Sequence, residues 1–160
     1  MVHHIYQTKG VVLGSVSTGE SNRFYKIFTE ELGLVGATAQ SVREAKSKLR
    51  YSLQHYSFVN LNLVYGRSGW KIVNASEGDV FPVLKKDGFS QKIFAHLCSL
   101  IIRLVHGETQ DKIIFENLLF LATYLNTHEV TERIAVSVET LAVLRLLARL
   151  GYIDPAPYES

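Results

Sequence analysis

The apolar residues of this chain change their spacing once, and that change limits the folds open to it. Up to about residue 77 they fall in short runs close to a period of two. Beyond Pro82 they recur at three- and four-residue intervals. The first half therefore reads as strands and the second as helices, an α+β arrangement or two abutting modules. Ile5-Tyr6 and Val11-Val12-Leu13 are the first β-rich pieces, broken by Gly10 and Gly14, as bulges or tight bends require. Phe24, Ile27 and Phe28 mark a strand over residues 24–29, and residues 34–40 another after the turn glycine Gly33. The clearest strand is 56–65, where Phe58, Leu61, Leu63 and Tyr65 mix with Asn60 and Asn62. Gly66-Arg67-Ser68-Gly69 is a hairpin turn, and residues 70–75 return as the fifth strand. Five short strands with glycine corners suit a small closed barrel of the oligonucleotide-binding (OB) type.

Three helical patterns follow. Phe94, Leu97, Ile101, Leu104 and Val105 predict a helix over 89–106, stopped by Gly107. Ile114, Phe115, Leu118, Leu119, Ala122 and Leu125 predict another over 112–125. Thr131 and Glu132 precede a third through Val136, Leu141, Leu144, Leu147 and Leu150, closed by Gly151. The three should form a small bundle, each burying one face. The expected division is an OB-fold domain over 1–80 and a helical domain over 81–160, joined in the 77–87 region.

Composition narrows the chemistry. A chain of 160 residues, 47% apolar and 20% charged, is an ordinary globular one able to bury a core. Its single cysteine, Cys98, excludes a disulfide framework or a cysteine-rich zinc site in this chain, and its apolar helical setting suggests a buried, inert thiol. No signal peptide opens the chain, and Arg103, Glu116 and Asn117 break the longest apolar runs, so a cytoplasmic protein is expected. No phosphate-binding glycine loop, metalloprotease motif or nucleophile elbow is present. The six histidines are scattered; His3 and His4 sit at the N-terminus, and His96 and His106 lack the i, i+4 spacing of a metal pair. Neither a catalytic residue, a metal site nor a cofactor is expected, and the chain reads as non-enzymatic.

Net charge is only +2, but it is unevenly shared. Residues 1–80 hold nine Lys/Arg against six Asp/Glu, and residues 81–160 eight against nine. Arg43, Lys46, Lys48 and Arg50, with Arg23 and Lys26 nearby, could contact phosphates, releasing counterions with little regard for sequence. Arg67 and Lys71, in and after the hairpin, join them as candidates. Tyr25, Tyr51, Tyr56 or Trp70 could stack on bases. The plainer reading makes residues 43–50 a solvated loop or short helix, and most of the aromatics barrel filling.

These residues also carry a resemblance. The succession Val12-Leu13, Gly19-Glu20-Ser21, Phe28-Thr29, Glu31-Leu32-Gly33 and Lys46-Ser47-Lys48-Leu49 resembles the opening of the RecO family of recombination mediators. The resemblance runs through residues 56–65, the Gly66–Gly69 hairpin and Trp70, then thins to the helix order and Arg149-Leu150-Gly151-Tyr152. It implies an OB barrel followed by a helical domain and usually a four-cysteine zinc element. It also implies binding of single- and double-stranded DNA, strand annealing, and work with a RecR-like protein and the single-stranded-DNA-binding protein to load the recombinase. The setting it implies is the nucleoid. Arg23, Arg43, Lys46, Lys48 and Arg50 become candidate DNA contacts. In the helical half, Lys92, Arg103, Lys112 or Arg133 could hold the carboxylates of the acidic, apolar C-terminal tail of the single-stranded-DNA-binding protein.

Two departures stand out. Gln40 replaces a family lysine, and Glu44 places a negative charge where a positive one is common. Removing one cation from the phosphate backbone lowers the salt slope by about one unit, so weaker DNA binding is expected. Residues 155–160 fall about where the family's four cysteines would begin, as in either a shortened family member or a piece of a longer chain. The rival reading is a protein-interaction adaptor with little DNA affinity. A hydrolase would need a convergent acid–base pair that the sequence does not display.

Overall fold

The computed structural model describes residues 4–154. His3 and the 155–160 segment lie outside them. Five strands close into a barrel in the order β1-β2-β3-β5-β4: β1 (Ile5–Thr18), β2 (Asn22–Thr29), β3 (Gly33–Ala39), β4 (Phe58–Gly66) and β5 (Gly69–Glu77). One helical turn, α1 (Leu49–Ser52), lies between β3 and β4. A 3-10 turn (Pro82–Lys85) leads into α2 (Phe89–Leu104), α3 (Lys112–Thr127) and α4 (Glu132–Arg149). The α+β reading and the OB barrel are thereby established.

The first strand is one continuous element of 14 residues rather than two glycine-broken pieces. Its early half pairs with β4 (Ile5 with Val64) and its later half with β2 (Thr18 with Asn22), and Gly10 faces both Val59 and Thr29. One strand serving two neighbours must bend. The register slips between Val12 and Gly14, the bulge that supplies the bend. Glycine at position 10 is needed because a Cβ there would meet Ile27 Cγ2 at 2.7 Å and Leu61 Cδ1 at 2.9 Å. Two parallel pairs, Ala37 with Trp70 and Thr38 with Lys71, complete the closure.

Alternation along the strands produces two cores. Val12, Tyr25, Ile27, Val35, Leu61, Leu63 and Trp70 fill the barrel, with Val42 and Leu53 of the β3–β4 connection buried against them. Val11, Phe28 and Phe58 point the other way and pack on Phe94, Leu97, Phe115 and Leu118 of the helices. This second core crosses the strand-to-helix junction. Each fully buried aromatic or leucine in it stabilises by about 1.5–3 kcal/mol.

The helix bounds match their periodicity closely, but the third helix does not bury the face expected of it. Ala135 and Leu146 are its buried residues, while Val136, Leu141 and Leu144 are exposed. The stripe that meets α2 and α3 is Ala135, Val138, Ala142 and Leu146, spaced by three and four. The larger apolar residues fall on other sides of the same helix. A hydrogen bond and an ion pair tie α4 to its neighbours, His96 Nδ1 with Glu139 Oε1 (2.6 Å) and Arg149 Nε with Asp111 Oδ2 (2.9 Å). Asp111 also caps α3, accepting the Ile114 N–H at 3.2 Å.

Candidate nucleic-acid interface

Strand β2 directs Tyr25 and Ile27 into the barrel, both essentially without solvent contact. Arg23, two residues earlier on the same face, therefore emerges at the barrel mouth. The chain leaving β3 is steered over that mouth by the turn before β2. Asn22 Oδ1 accepts the Ser41 N–H (3.0 Å), Ser21 O accepts the Arg43 N–H (3.1 Å), and Arg43 Nη1 donates to Gly19 O (3.4 Å). Ser41 adopts φ 51° there, and Val42 drops into the core as a plug. Leu53, also buried, anchors the single turn that carries Arg50. Arg23, Arg43 and Arg50 consequently line one pocket of about 270 Å³ with Tyr25 and Val42, and the surface continues past Tyr51, Gln54 and His55.

The electrostatics of this mouth are one-sided. Among the described residues the basic side chains that meet a carboxylate are Lys85 (Glu77), His96 (Glu139), Lys112 (Glu31) and Arg149 (Asp111), so none is a mouth arginine. Arg23 Nε is buried and has no hydrogen-bond partner among the described residues. Burial and the Arg23 charge push His55 below the usual histidine range, and its Nε2 lies 2.9 Å from Ser15 Oγ. Burial raises the Tyr25 phenol, opposed in part by Arg23. Such a site attracts an anion with distributed negative charge.

The other basic candidates are dispersed. Lys46 and Lys48 are exposed in the same connection but do not line the pocket. Lys26 and Lys71 alternate with the core residues and so stand on the barrel's outer face. Lys26 Nζ lies 5.6 Å from the Phe24 ring, which itself covers Gly36. Arg67 is exposed in the β4–β5 hairpin. Gln40 and Glu44 are exposed, and among the described residues Glu44 forms no ion pair with the arginines.

Two of the four stacking aromatics expected from the sequence are corrected: Tyr25 and Trp70 fill the barrel and present no free face. Tyr56 is half-buried against Phe94, whereas Tyr51 is 70% exposed beside Arg50. Residue pattern alone does not single out His55, Tyr6 or Tyr65. Tyr65 continues the alternation of Leu61 and Leu63, which marks it as core, yet it lies at the strand end, where the barrel no longer covers it. Among the helices, an apolar groove of about 360 Å³ between α3 and α4 is lined by Phe120, Tyr124, Ile134, Leu141 and Arg145. Lys92, Arg103, Lys112 and Arg133 do not line it, and Lys112 instead lies 3.8 Å from Glu31.

Residues 1–79 match the family model described as Recombination protein O N terminal, a span that takes in all five strands. By this barrel the chain belongs to the RecO family. It is 28% identical to the DNA repair protein RecO of Clostridium novyi, over 92% of this chain and 57% of that protein. It is 30% identical to that of Gloeothece citriformis over 69% of this chain and 39% of that protein, and 28% identical to that of Rubrobacter xylanophilus over 92% and 58%. The chain thus spans about half the length of the curated RecO relatives it matches. The RecO-like turns acquire physical roles here: Gly19-Glu20-Ser21 positions Arg43, and Glu31-Leu32-Gly33 docks the barrel on the α2–α3 loop. Gln110 Nε2 donates to Glu30 O (3.3 Å) and Glu31 Oε2 (2.9 Å) across that junction.

Proposed function

We propose that this chain is a non-enzymatic DNA-binding component of recombinational repair, gripping phosphates at the barrel mouth. The observation that carries this reading is the convergence of Arg23, Arg43 and Arg50 in one pocket without a carboxylate partner among the described residues. Guanidinium groups present paired donors that match phosphate oxygens. Binding exchanges condensed counterions for these groups, so it is sequence-blind and weakens steeply with salt. Neutralising two backbones on one protein lowers their repulsion, the physical requirement for annealing complementary strands. The relatives' name, DNA repair protein RecO, supports the same role. On the family resemblance, the partners are single- and double-stranded DNA, a RecR-like protein and the tail of the single-stranded-DNA-binding protein, in the cytoplasm at the nucleoid.

The test is oligonucleotide binding across a salt series. Arg23→Gln, Arg43→Gln and Arg50→Gln should each reduce the salt slope by about one unit, slightly less on single strands. Lys85→Gln, which removes a charge already paired with Glu77, should leave it unchanged. Unaltered slopes in all three arginine variants would remove the mouth from the mechanism.

A second reading rests on the α3–α4 groove, where Phe120 and Leu141 are more than half exposed and Arg145 lies 5.7 Å from the Phe120 ring. An adaptor role would use this groove for an apolar tail, with Arg145 taking its carboxylate. Recovery of RecR or the single-stranded-DNA-binding protein with no DNA shift at low salt would favour it over the mouth.

A further inference from the structure

The sheet end bearing the β4–β5 hairpin carries an aromatic group that the arginine mouth does not use. Trp70 is 7% exposed, and two tyrosine rings meet it edge-on: Tyr6 at 5.0 Å and 82°, Tyr65 at 5.0 Å and 69°. Both tyrosines remain open to solvent, Tyr65 at 59% and Tyr6 at 36%. The register explains the grouping, since Tyr65 pairs directly with Trp70 and Tyr6 with Leu63 on the adjoining row. Single exposed aromatics are ordinary on a protein surface and need no function. Two exposed rings braced on one buried indole are a different arrangement. Edge-to-face contact orients each tyrosine in advance, so a planar ligand stacking on it meets little further ordering cost.

The surrounding charge selects the ligand. Between Ala45 and Ser76 the sequence carries Lys46, Lys48, Arg50, Arg67 and Lys71 and no Asp or Glu, and no acid precedes Glu20. Arg67 lies two residues beyond Tyr65, and Lys71 follows Trp70 on the outer face. Neither is engaged in an ion pair among the described residues. Exposed aromatic faces with unopposed cations match a chain of flat rings joined by phosphates. Bases in a duplex are stacked on one another and present no face. Unpaired bases do.

We propose that Tyr65 and Tyr6, held by Trp70, form a stacking platform for unpaired bases of single-stranded nucleic acid, with Arg67 facing the flanking phosphates. The proposal rests on the DNA-binding reading above and assigns strand selectivity to a second part of the barrel. The mouth supplies affinity for either form through charge. The platform discriminates between them.

Anisotropy of labelled oligo(dT) and of a hairpin duplex, measured with the whole chain, tests this. Tyr65→Ala should weaken oligo(dT) binding roughly tenfold, the scale of losing one base–aromatic stack, while duplex binding changes by less than about twofold. Tyr65→Phe should bind as the parent does, because the ring and not the hydroxyl stacks. An abasic phosphodiester of equal length should be bound equally by parent and Tyr65→Ala. Trp70 is the sole tryptophan, so its emission should shift on oligo(dT) binding but not on abasic binding. Equal losses on oligo(dT) and duplex, or no loss in Tyr65→Ala and Tyr6→Ala, would overturn the platform while leaving the mouth intact. Failure of the parent to bind any of these probes at low salt would overturn the DNA-binding reading, and the platform with it.

Discussion

Gly33 lies so tightly against Thr109 that a Cβ on the glycine would collide with the Thr109 backbone carbonyl. Here the β2–β3 turn of the barrel abuts the loop between α2 and α3. Around it Gln110 and Lys112 both reach Glu31. Gly33 also has φ 72°, a conformation that disfavours any residue with a Cβ.

Gly33→Ala therefore adds backbone strain to a backbone collision. It should destabilise the chain by at least about 2 kcal/mol, read as a lower urea midpoint at unchanged slope. Gly69→Ala is the informative comparison: its φ of 92° is also unfavourable, yet nothing crowds its Cβ position. It should cost less, and an equal cost would show that the Thr109 packing is unimportant.

His55 should make DNA binding sensitive to pH. In the free protein, burial and the Arg23 charge depress its pKa, so the ring is neutral at pH 7. A phosphate in the adjoining arginine pocket offsets Arg23 and favours the imidazolium, raising the pKa in the bound state. Affinity should then rise as pH falls from about 7.5 to about 5.5, and His55→Gln should flatten that profile. Folding stability runs with the opposite sign. A depressed folded-state pKa means that protonation favours the unfolded chain, so stability declines as pH drops below about 6.5.

Asp111 performs two tasks and Arg149 one. The carboxylate caps α3 and receives the Arg149 guanidinium on both oxygens, at 3.1 and 2.9 Å. Asp111→Ala should cost about 1–2 kcal/mol and Arg149→Ala less than about 1 kcal/mol, since the ion pair is partly solvated. Denaturant unfolding of both single variants and the double variant measures this. Equal costs for the single variants would mean that the cap contributes little.

The organisation of the chain was legible because side-chain period is a local property. Alternation around Asn60 and Asn62 marked β4, the spacing of Phe94, Leu97 and Ile101 marked α2, and both lie where that pattern puts them. The buried setting of Cys98 was legible in the same way: it is 1% exposed, and burial raises its thiol pKa. The pattern misled at element ends and on crowded helices. Tyr65 kept the core alternation past the point where the barrel covers it, and α4 holds more apolar residues than its neighbours can bury.

By itself the sequence determined the order and type of the main elements, the bulge beside Gly14, and the family through its turn motifs. Only the tertiary structure decided which cations act together. Arg23 and Arg50 are distant in the chain, and no period relates them. They share a pocket because closing β1 against both β2 and β4 brings those segments to one mouth, and the Asn22 and Gly19 hydrogen bonds hold Arg43 beside them. Local spacing chooses the face on which a side chain stands, while the long-range pairing of strands chooses its company.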